Sequence, residues 1–72
     1  MNKEQIKRFL GSDKISIVEA MERIDANSKG ILFIVDEQER MIGCVTDGDL
    51  RRWLIKTGEL NTTVGHAVIR SP

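Results

Sequence analysis

The densest group of reactive side chains in the sequence lies at residues 46–49 (TDGD), followed closely by Arg51 and Arg52. A hydroxyl at Thr46 can bond a phosphate or sugar oxygen, and a carboxylate at Asp49 can accept hydrogen bonds from both hydroxyls of a ribose. Arginine pairs with phosphate through charge-assisted hydrogen bonds. These residue types at this spacing indicate the chemistry of a nucleotide site.

The position of this segment, between an apolar run and a helical pattern, favours the same interpretation. The start of a helix presents unpaired backbone N–H groups and a positive dipole end, which attract phosphate, and Gly48 lets a ligand approach the backbone closely. A structural explanation stays open, in which Asp47 caps the helix and the arginines form a solvated face. Asp47 and Asp49 together supply too few oxygens for a metal site.

The elements that hold this segment are marked by periodicity and caps. Ser16 is followed three residues later by Glu19, which predicts a capping box. Apolar residues then recur at helical spacing, which predicts a helix that ends near residues 27–30. Residues 31–35 (ILFIV) are an unbroken apolar run, typical of a strand covered on both faces, and residues 41–46 predict a second strand. The polar residues between them predict an antiparallel hairpin.

The two ends of the chain are predicted as short elements. Residues 2–10 favour a helix that stops at Gly11, and residues 14–15 are a short extended candidate. After the TDGD segment, Leu50, Trp53 and Leu54 form the apolar stripe of a helix that Gly58 ends. Residues 61–63 cap a last short helical turn. The predicted order is helix, short strand, helix, strand, strand, helix and tail.

Composition excludes several classes of protein. The 72 residues are 40% hydrophobic, and 11 basic residues balance 11 acidic ones, so a basic nucleic-acid arm and an acidic tail are excluded. No apolar run approaches the ~20 residues that span a bilayer, and the N-terminus is too polar for a signal peptide. We therefore expect a cytoplasmic protein that associates with neither nucleic acid nor membrane. So small a core also predicts association with a second copy or a missing remainder.

Three further residues invite a chemical role, and a structural role fits each better. The lone Cys44 lies in an apolar strand and is expected in the core. His66 is expected to be an exposed polar residue, and Trp53 to pack in its helix stripe or to contact a partner chain. Without a Cys/His cluster or a catalytic motif, we expect neither a metal nor catalysis by this chain alone.

In this order and spacing, residues 14–68 resemble a single CBS motif, the module named for cystathionine β-synthase. The matching segments are residues 15–20 (ISIVEA), 35–36 (VD), 43–52 (GCVTDGDLRR) and 63–68 (TVGHAV). The third contains the family's Gly-x-x-Thr-x-x-Asp signature. The chain departs from the family at His66 and Val68, where an acidic residue and a methionine are usual, and at Phe33, where many members have proline.

The resemblance implies an α+β fold with the order β-α-β-β-α, here behind a short N-terminal helix. It divides the chain into residues 1–12, the N-terminal helix, and 13–70, one CBS motif. Such motifs pack in pairs through their sheets as a Bateman module, which binds AMP, ADP, ATP or S-adenosylmethionine between them. By carry-over the ligand-binding residues are Ser16, Leu32, Phe33, Thr46, Asp49, Arg51 and Arg52.

One motif needs a partner, so the resemblance implies a second motif in a longer chain or a second copy in a homodimer. The TDGDLRR segment is similar to CBS motifs that precede sugar-phosphate nucleotidylyltransferases, and Met1 so close to the motif fits that arrangement. Similar motifs follow the catalytic domain of arabinose-5-phosphate isomerases. The expected role is regulation of such an enzyme. The alternatives are a ligand-free dimerisation module and, less well supported by the neutral charge, a DNA-binding domain using Arg51 and Arg52.

Overall fold

The computed structural model describes residues 3–68, which form three helices, three strands and a final turn. The elements are α1 (Lys3–Lys7), β1 (Leu10–Ser12), α2 (Ile17–Asn27), β2 (Ile31–Val35), β3 (Met41–Thr46), α3 (Asp47–Thr57) and a 3-10 turn (Val64–His66). This is the mixed α+β order expected from the sequence, with a short helix ahead of β-α-β-β-α.

The strands form one sheet in the order β1-β2-β3. β1 and β2 are parallel and are joined by α2, whereas β2 and β3 form the predicted antiparallel hairpin. A register shift between Ile34 and Val35 bends the hairpin near its turn. Ile31 lies opposite Thr46, so the hairpin brings the start of β2 beside the TDGD segment.

One face of the sheet packs against α2 and α3. Leu32, Ile34 and Val45 alternate along β2 and β3 on this face and are fully buried. The rest of the core comes from the helices and the final turn: Ile17, Ala20, Ile24, Leu50 and Val64. The opposite face carries the other alternate residues of β2, which are half-buried. The sequence predicted that residues 31–35 are covered on both faces. Within the described chain, only one face of this strand is covered.

The beginning of the chain differs from the prediction. α1 ends at Lys7, and the predicted strand at residues 14–15 is instead a turn, with the strand at Leu10–Ser12. Within residues 1–12 the last three therefore belong to the sheet rather than to a helix. Pairing with β2 decides this, because Phe33 donates its N–H to the carbonyl of Phe9 at 2.7 Å. Gly11 permits the close packing, since a Cβ there would lie 2.8 Å from Leu32 Cδ2.

None of the helices within residues 3–68 has the length and apolar character needed to cross a membrane.

Candidate functional site

Thr46 and Asp49 close the first turn of α3 on each other. The backbone N–H of Asp49 donates to Thr46 Oγ1 at 3.1 Å, and the backbone N–H of Thr46 donates to Asp49 Oδ2 at 2.8 Å. This is a complete capping box, in which two N–H groups that the helix leaves unpaired are satisfied reciprocally. The cap of α3 is therefore Thr46 and not Asp47, whose N–H donates to the carbonyl of Gly30 at 3.0 Å.

Asp49 is held in its ionised form. Burial opposes ionisation, but the Thr46 hydrogen bonds and the nearby guanidinium of Arg52 outweigh it and lower the pKa of Asp49 below its ordinary value. Only 10% of the Asp49 side chain is exposed, and its Oδ1 accepts from Arg52 Nη2 at 2.6 Å. A carboxylate has about four acceptor sites, so Asp49 keeps acceptor capacity beside its contacts with Thr46 and Arg52. The carboxylate can therefore still accept from a sugar diol.

The two arginines extend from the site into solvent. Arg51 Nη2 lies 2.8 Å from Asp47 Oδ2, and the side chains of Arg51 and Arg52 are 71% and 72% exposed. Exposed pairs of this kind contribute little to folding. Both guanidinium groups therefore have donors to offer to an anion at the start of α3, and Arg52 already contacts Asp49.

Ser16 occupies the equivalent position at the start of α2. Its Oγ accepts from the backbone N–H of Glu19 at 3.0 Å, as predicted, and its backbone forms a bridge with Thr63. The carboxylate of Glu19 does not complete the box, because it pairs with Arg23 at 2.9 Å. Ser16 is half-buried and its hydroxyl is already engaged in capping.

Leu32 and Phe33 lie on opposite faces of β2, next to Ile31, the partner of Thr46 across the hairpin. The Leu32 side chain is fully buried in the core, so that this residue can offer a ligand its backbone alone. Phe33 is half-buried on the opposite face, and its cross-strand neighbour there is Cys44. Cys44 is half-buried too, so the prediction that it lies in the core is wrong. It follows Gly43 and precedes Val45, both buried, and alternation turns it to the other face.

A groove of about 460 Å³ runs along α3 from the capping box towards the end of the described chain. Its polar lining residues are Asp49, Arg52, Lys56 and His66, and its apolar ones are Trp53, Ala67 and Val68. The sequence-based prediction of ligand-binding residues included Asp49 and Arg52 and did not include Lys56 or His66. The spacing of Asp49, Arg52, Trp53 and Lys56 (i, i+3, i+4, i+7) was the available signal, because it places them on one helix face.

Trp53 and His66 form the wall of this groove at its far end. Their rings are stacked with centroids 6.5 Å apart and an interplanar angle of 29°. Trp53 is half-buried in its helix stripe, as predicted, and its indole N–H donates to the carbonyl of Glu59 at 3.0 Å. His66 is exposed, as the sequence indicated. The stack keeps the imidazole beside the groove.

The structure is thus a small α+β module in which a capped turn at Thr46–Asp49 joins β3 to α3. A family model for the CBS domain matches residues 12–56, and the chain belongs to that family. The CBS domain is a regulatory module.

Curated relatives match this chain over 53 residues in the CBS part. Arabinose 5-phosphate isomerase GutQ of Escherichia coli K12 is 40% identical, and GutQ of Salmonella typhi is 42% identical. The matched segment is 74% of this chain and 16% of either relative. The chain thus matches about a sixth of the length of these relatives.

Several solved structures share this fold, and ATU1752 is a CBS-domain containing protein. ATU1752 of Agrobacterium tumefaciens has a TM-score of 0.81 and 22% identity, and the match covers 96% of this chain and 57% of the ATU1752 chain. CbpB in complex with c-di-AMP has a TM-score of 0.77 and 12% identity, covering 86% of this chain and 45% of its own. CBSX2 in complex with AMP has a TM-score of 0.68 and 22% identity, and the match covers 88% of this chain and 51% of the CBSX2 chain.

One solved structure with this fold is described with metal ions. Hypoxic Response Protein I, with two coordinated zinc ions, has a TM-score of 0.72 and 25% identity, covering 81% of this chain and 50% of its own. Residues 3–68 of the present chain contain no group of three or more His, Cys, Asp or Glu side chains arranged to hold a metal ion. That this chain takes no metal stays a prediction.

Proposed function

We propose that this chain is one half of a nucleotide-sensing CBS module, which binds an adenosyl nucleotide and controls an attached enzyme without catalysing a reaction itself. The observation that carries the proposal is the Thr46–Asp49 capping box. It holds an ionised carboxylate with free acceptor capacity beside a hydroxyl at a helix start. The match to the CBS family supports the same function.

The proposed ligand is AMP, ADP, ATP or S-adenosylmethionine. Two neighbours in structure, CbpB and CBSX2, are described with c-di-AMP and AMP, which supports an adenosyl nucleotide here. In this proposal Asp49 accepts from the ribose, Thr46 contacts ribose or phosphate, and Arg51 or Arg52 contacts phosphate. The backbone of Leu32, the ring of Phe33 and the turn at Ser16 border the base.

The second half of the module is proposed to pack on the open face of the sheet. Ile31, Phe33 and Val35 are half-buried there within the described chain, and Cys44 lies beside Phe33. A second CBS motif from a longer chain, or a second copy in a homodimer, would bury these side chains. Burial of apolar surface stabilises by about 25 cal/mol per Å². A cytoplasmic location, without nucleic acid or membrane as partner, stays a prediction.

Two kinds of attached enzyme are proposed. The TDGDLRR segment supports a sugar-phosphate nucleotidylyltransferase, as the sequence suggested. The identity to GutQ over the CBS part supports the alternative, an arabinose-5-phosphate isomerase. Both enzymes act on sugar phosphates, so a sensor of nucleotide supply has a role in either setting.

A second candidate function is a ligand-free dimerisation module. It is favoured by the small exposed fraction of Asp49, 10% of its side chain, and by the contact that Arg52 already makes with the carboxylate. In that case the capping box serves the fold alone, and the module contributes only the pairing of its sheets.

Isothermal titration of AMP, ADP, ATP and S-adenosylmethionine, with the mass measured by light scattering in the same buffer, separates the two functions. The nucleotide-sensing proposal expects one of these ligands to bind a dimer of the chain. A dimer that binds none of them would support the dimerisation module. A stable monomer would contradict the proposed pairing.

A further inference from the structure

We propose that the groove along α3 binds the phosphate chain of the ligand, so that the site favours nucleoside di- and triphosphates over S-adenosylmethionine and adenosine. This inference rests on the proposed function, since it places the ribose at Asp49. It adds a ligand class and two binding residues, Lys56 and His66, that the family signature does not include.

The charge of the groove carries the first step. Arg52, Lys56 and His66 line it against a single carboxylate, Asp49, which Arg52 already neutralises at 2.6 Å. Lys56 is exposed, and among residues 3–68 it makes no ion pair. The groove therefore offers positive charge that the folded chain does not use. A phosphate chain is the part of a nucleotide that complements it, whereas S-adenosylmethionine, with two cationic groups and one carboxylate, has a net positive charge and complements it less well.

The spacing along α3 carries the second step. Asp49 and Lys56 are seven residues apart on one helix face, which corresponds to about 10.5 Å along the axis at 1.5 Å per residue. Arg52 lies between them, one turn from Asp49. A ligand whose ribose is bound at Asp49 thus meets Arg52 first and Lys56 only if its phosphate chain is long enough. The order of affinity expected from this geometry is ATP, then ADP, then AMP.

Arg52 can serve both groups at once. A guanidinium has five N–H donors in a fixed plane. One nitrogen, Nη2, lies 2.6 Å from Asp49 Oδ1, and the side chain is 72% exposed. The remaining donors can bond a phosphate oxygen while Arg52 keeps its contact with Asp49. The guanidinium would then lie between the carboxylate and the phosphate and reduce the repulsion between these two anions.

The aromatic wall fixes the far end of the groove. Trp53 is anchored by its hydrogen bond to the carbonyl of Glu59 and stacks on His66. His66 is thereby kept near Lys56 in the groove lining. Ala67 and Val68 add apolar surface beside it. Excluding water from one side of the groove strengthens the attraction between its cations and phosphate.

The test titrates ATP, ADP, AMP, adenosine and S-adenosylmethionine into the chain and into Lys56→Gln. We expect ATP to bind the chain most tightly and Lys56→Gln to weaken ATP by about tenfold, the low end of the range for hydrogen bonds to a charged group. Adenosine and AMP should change less than about twofold. Lys29→Gln removes an exposed lysine outside the groove and is the matched control, for which ATP affinity should stay unchanged.

Three results would overturn the inference. Adenosine or S-adenosylmethionine binding as tightly as ATP would do so while leaving the proposed function intact. Equal weakening of ATP by Lys56→Gln and Lys29→Gln would show an effect of net charge and not of the groove. Binding of none of the five compounds would remove the proposed function itself, and the inference with it.

Discussion

Replacing Asp49 by alanine should destabilise the chain by about 2 kcal/mol. The carboxylate accepts from the Thr46 N–H at 2.8 Å and is 90% covered, so its removal leaves a half-buried N–H without its partner. Such a loss costs about 1–3 kcal/mol. Loss of an acidic group from the first helical turn adds about 0.3–1 kcal/mol, and the contact with the exposed Arg52 adds little.

Urea unfolding of the parent chain and of Asp49→Ala measures this loss of stability. The fluorescence of Trp53, the one tryptophan in the sequence, reports the unfolding. Asp47→Ala is the matched control. Asp47 lies in the same turn, its side chain is 51% exposed, and its side-chain partner is the exposed Arg51. Asp47 is also an acidic residue of the first helical turn, so we expect the control to change the free energy of unfolding by up to about 1 kcal/mol, which is less than the change for Asp49→Ala. If both variants unfold like the parent chain, the structural role given to the Asp49 carboxylate is refuted.

This cost complicates the use of Asp49→Ala as a binding test, because weaker affinity could then reflect a loosened helix start. Asp49→Asn separates the two effects. Its amide oxygen can still accept from the Thr46 N–H, so we expect at least half of the stability difference to be recovered. A neutral amide has one acceptor oxygen in place of two, and affinity for a ribose diol should remain low. Parent-like affinity in this variant would contradict the assignment of Asp49 to the ribose.

Three further perturbations test other parts of the structure. Burial raises the pKa of Asp49, but the contacts with Thr46 and Arg52 lower it by more. The pKa of Asp36 is also lowered, chiefly by the hydrogen bond from the Arg40 N–H. Stability from these carboxylates should therefore be full above about pH 4 and lost as pH falls through their lowered pKa values. Urea titrations between neutral and acidic pH check this, and a pH dependence that Asp49→Asn leaves unchanged would contradict it. Trp53→Ala should cost about 2 kcal/mol, below the 3–5 kcal/mol of a core aromatic because Trp53 is half-buried. A change under about 1 kcal/mol in thermal unfolding would mean that the ring serves a partner instead. Gly11→Ala should cost about 1–3 kcal/mol because the new Cβ would lie 2.8 Å from Leu32 Cδ2. Gly48→Ala, whose Cβ would meet Arg52 Nη1 at 3.5 Å, should be neutral or stabilising, and equal destabilisation by both would refute the packing explanation.

The hairpin and the two long helices could be predicted because their signals are local. The apolar run at β2, the polar turn and the residues flanking each helix lie within a few positions of the elements they specify. β1 could not be predicted, because Leu10 also fits a helical stripe with Ile6. Its strand pairing depends on Phe33, more than twenty residues away in the sequence. Tertiary pairing there overrides a weak local helical preference.

The starts of α2 and α3 show a subtler limit. Sequence reasoning gave a capping box to Ser16 and Glu19 and a ligand role to Thr46 and Asp49, yet the structure has its complete box at the second site. The shorter aspartate reaches back to the Thr46 N–H, whereas the longer Glu19 turns to Arg23. Residue types at this spacing therefore indicate a helix cap and a ligand site equally well. Only features that a cap does not need distinguish the two, such as Lys56, which makes no ion pair within residues 3–68.

The completed box also limits how this motif can transmit a signal. A ligand shifts an equilibrium only by its different affinity for two states. The start of α3 is already ordered, with both Thr46–Asp49 hydrogen bonds formed, so ligand binding has no unfolded turn to order there. The groups left to respond are the exposed arginines and the open face of the sheet. Under the proposed function, regulation through this motif would then arise from a change in the packing of the open sheet face against the second motif, with the ligand bound at the β3–α3 turn.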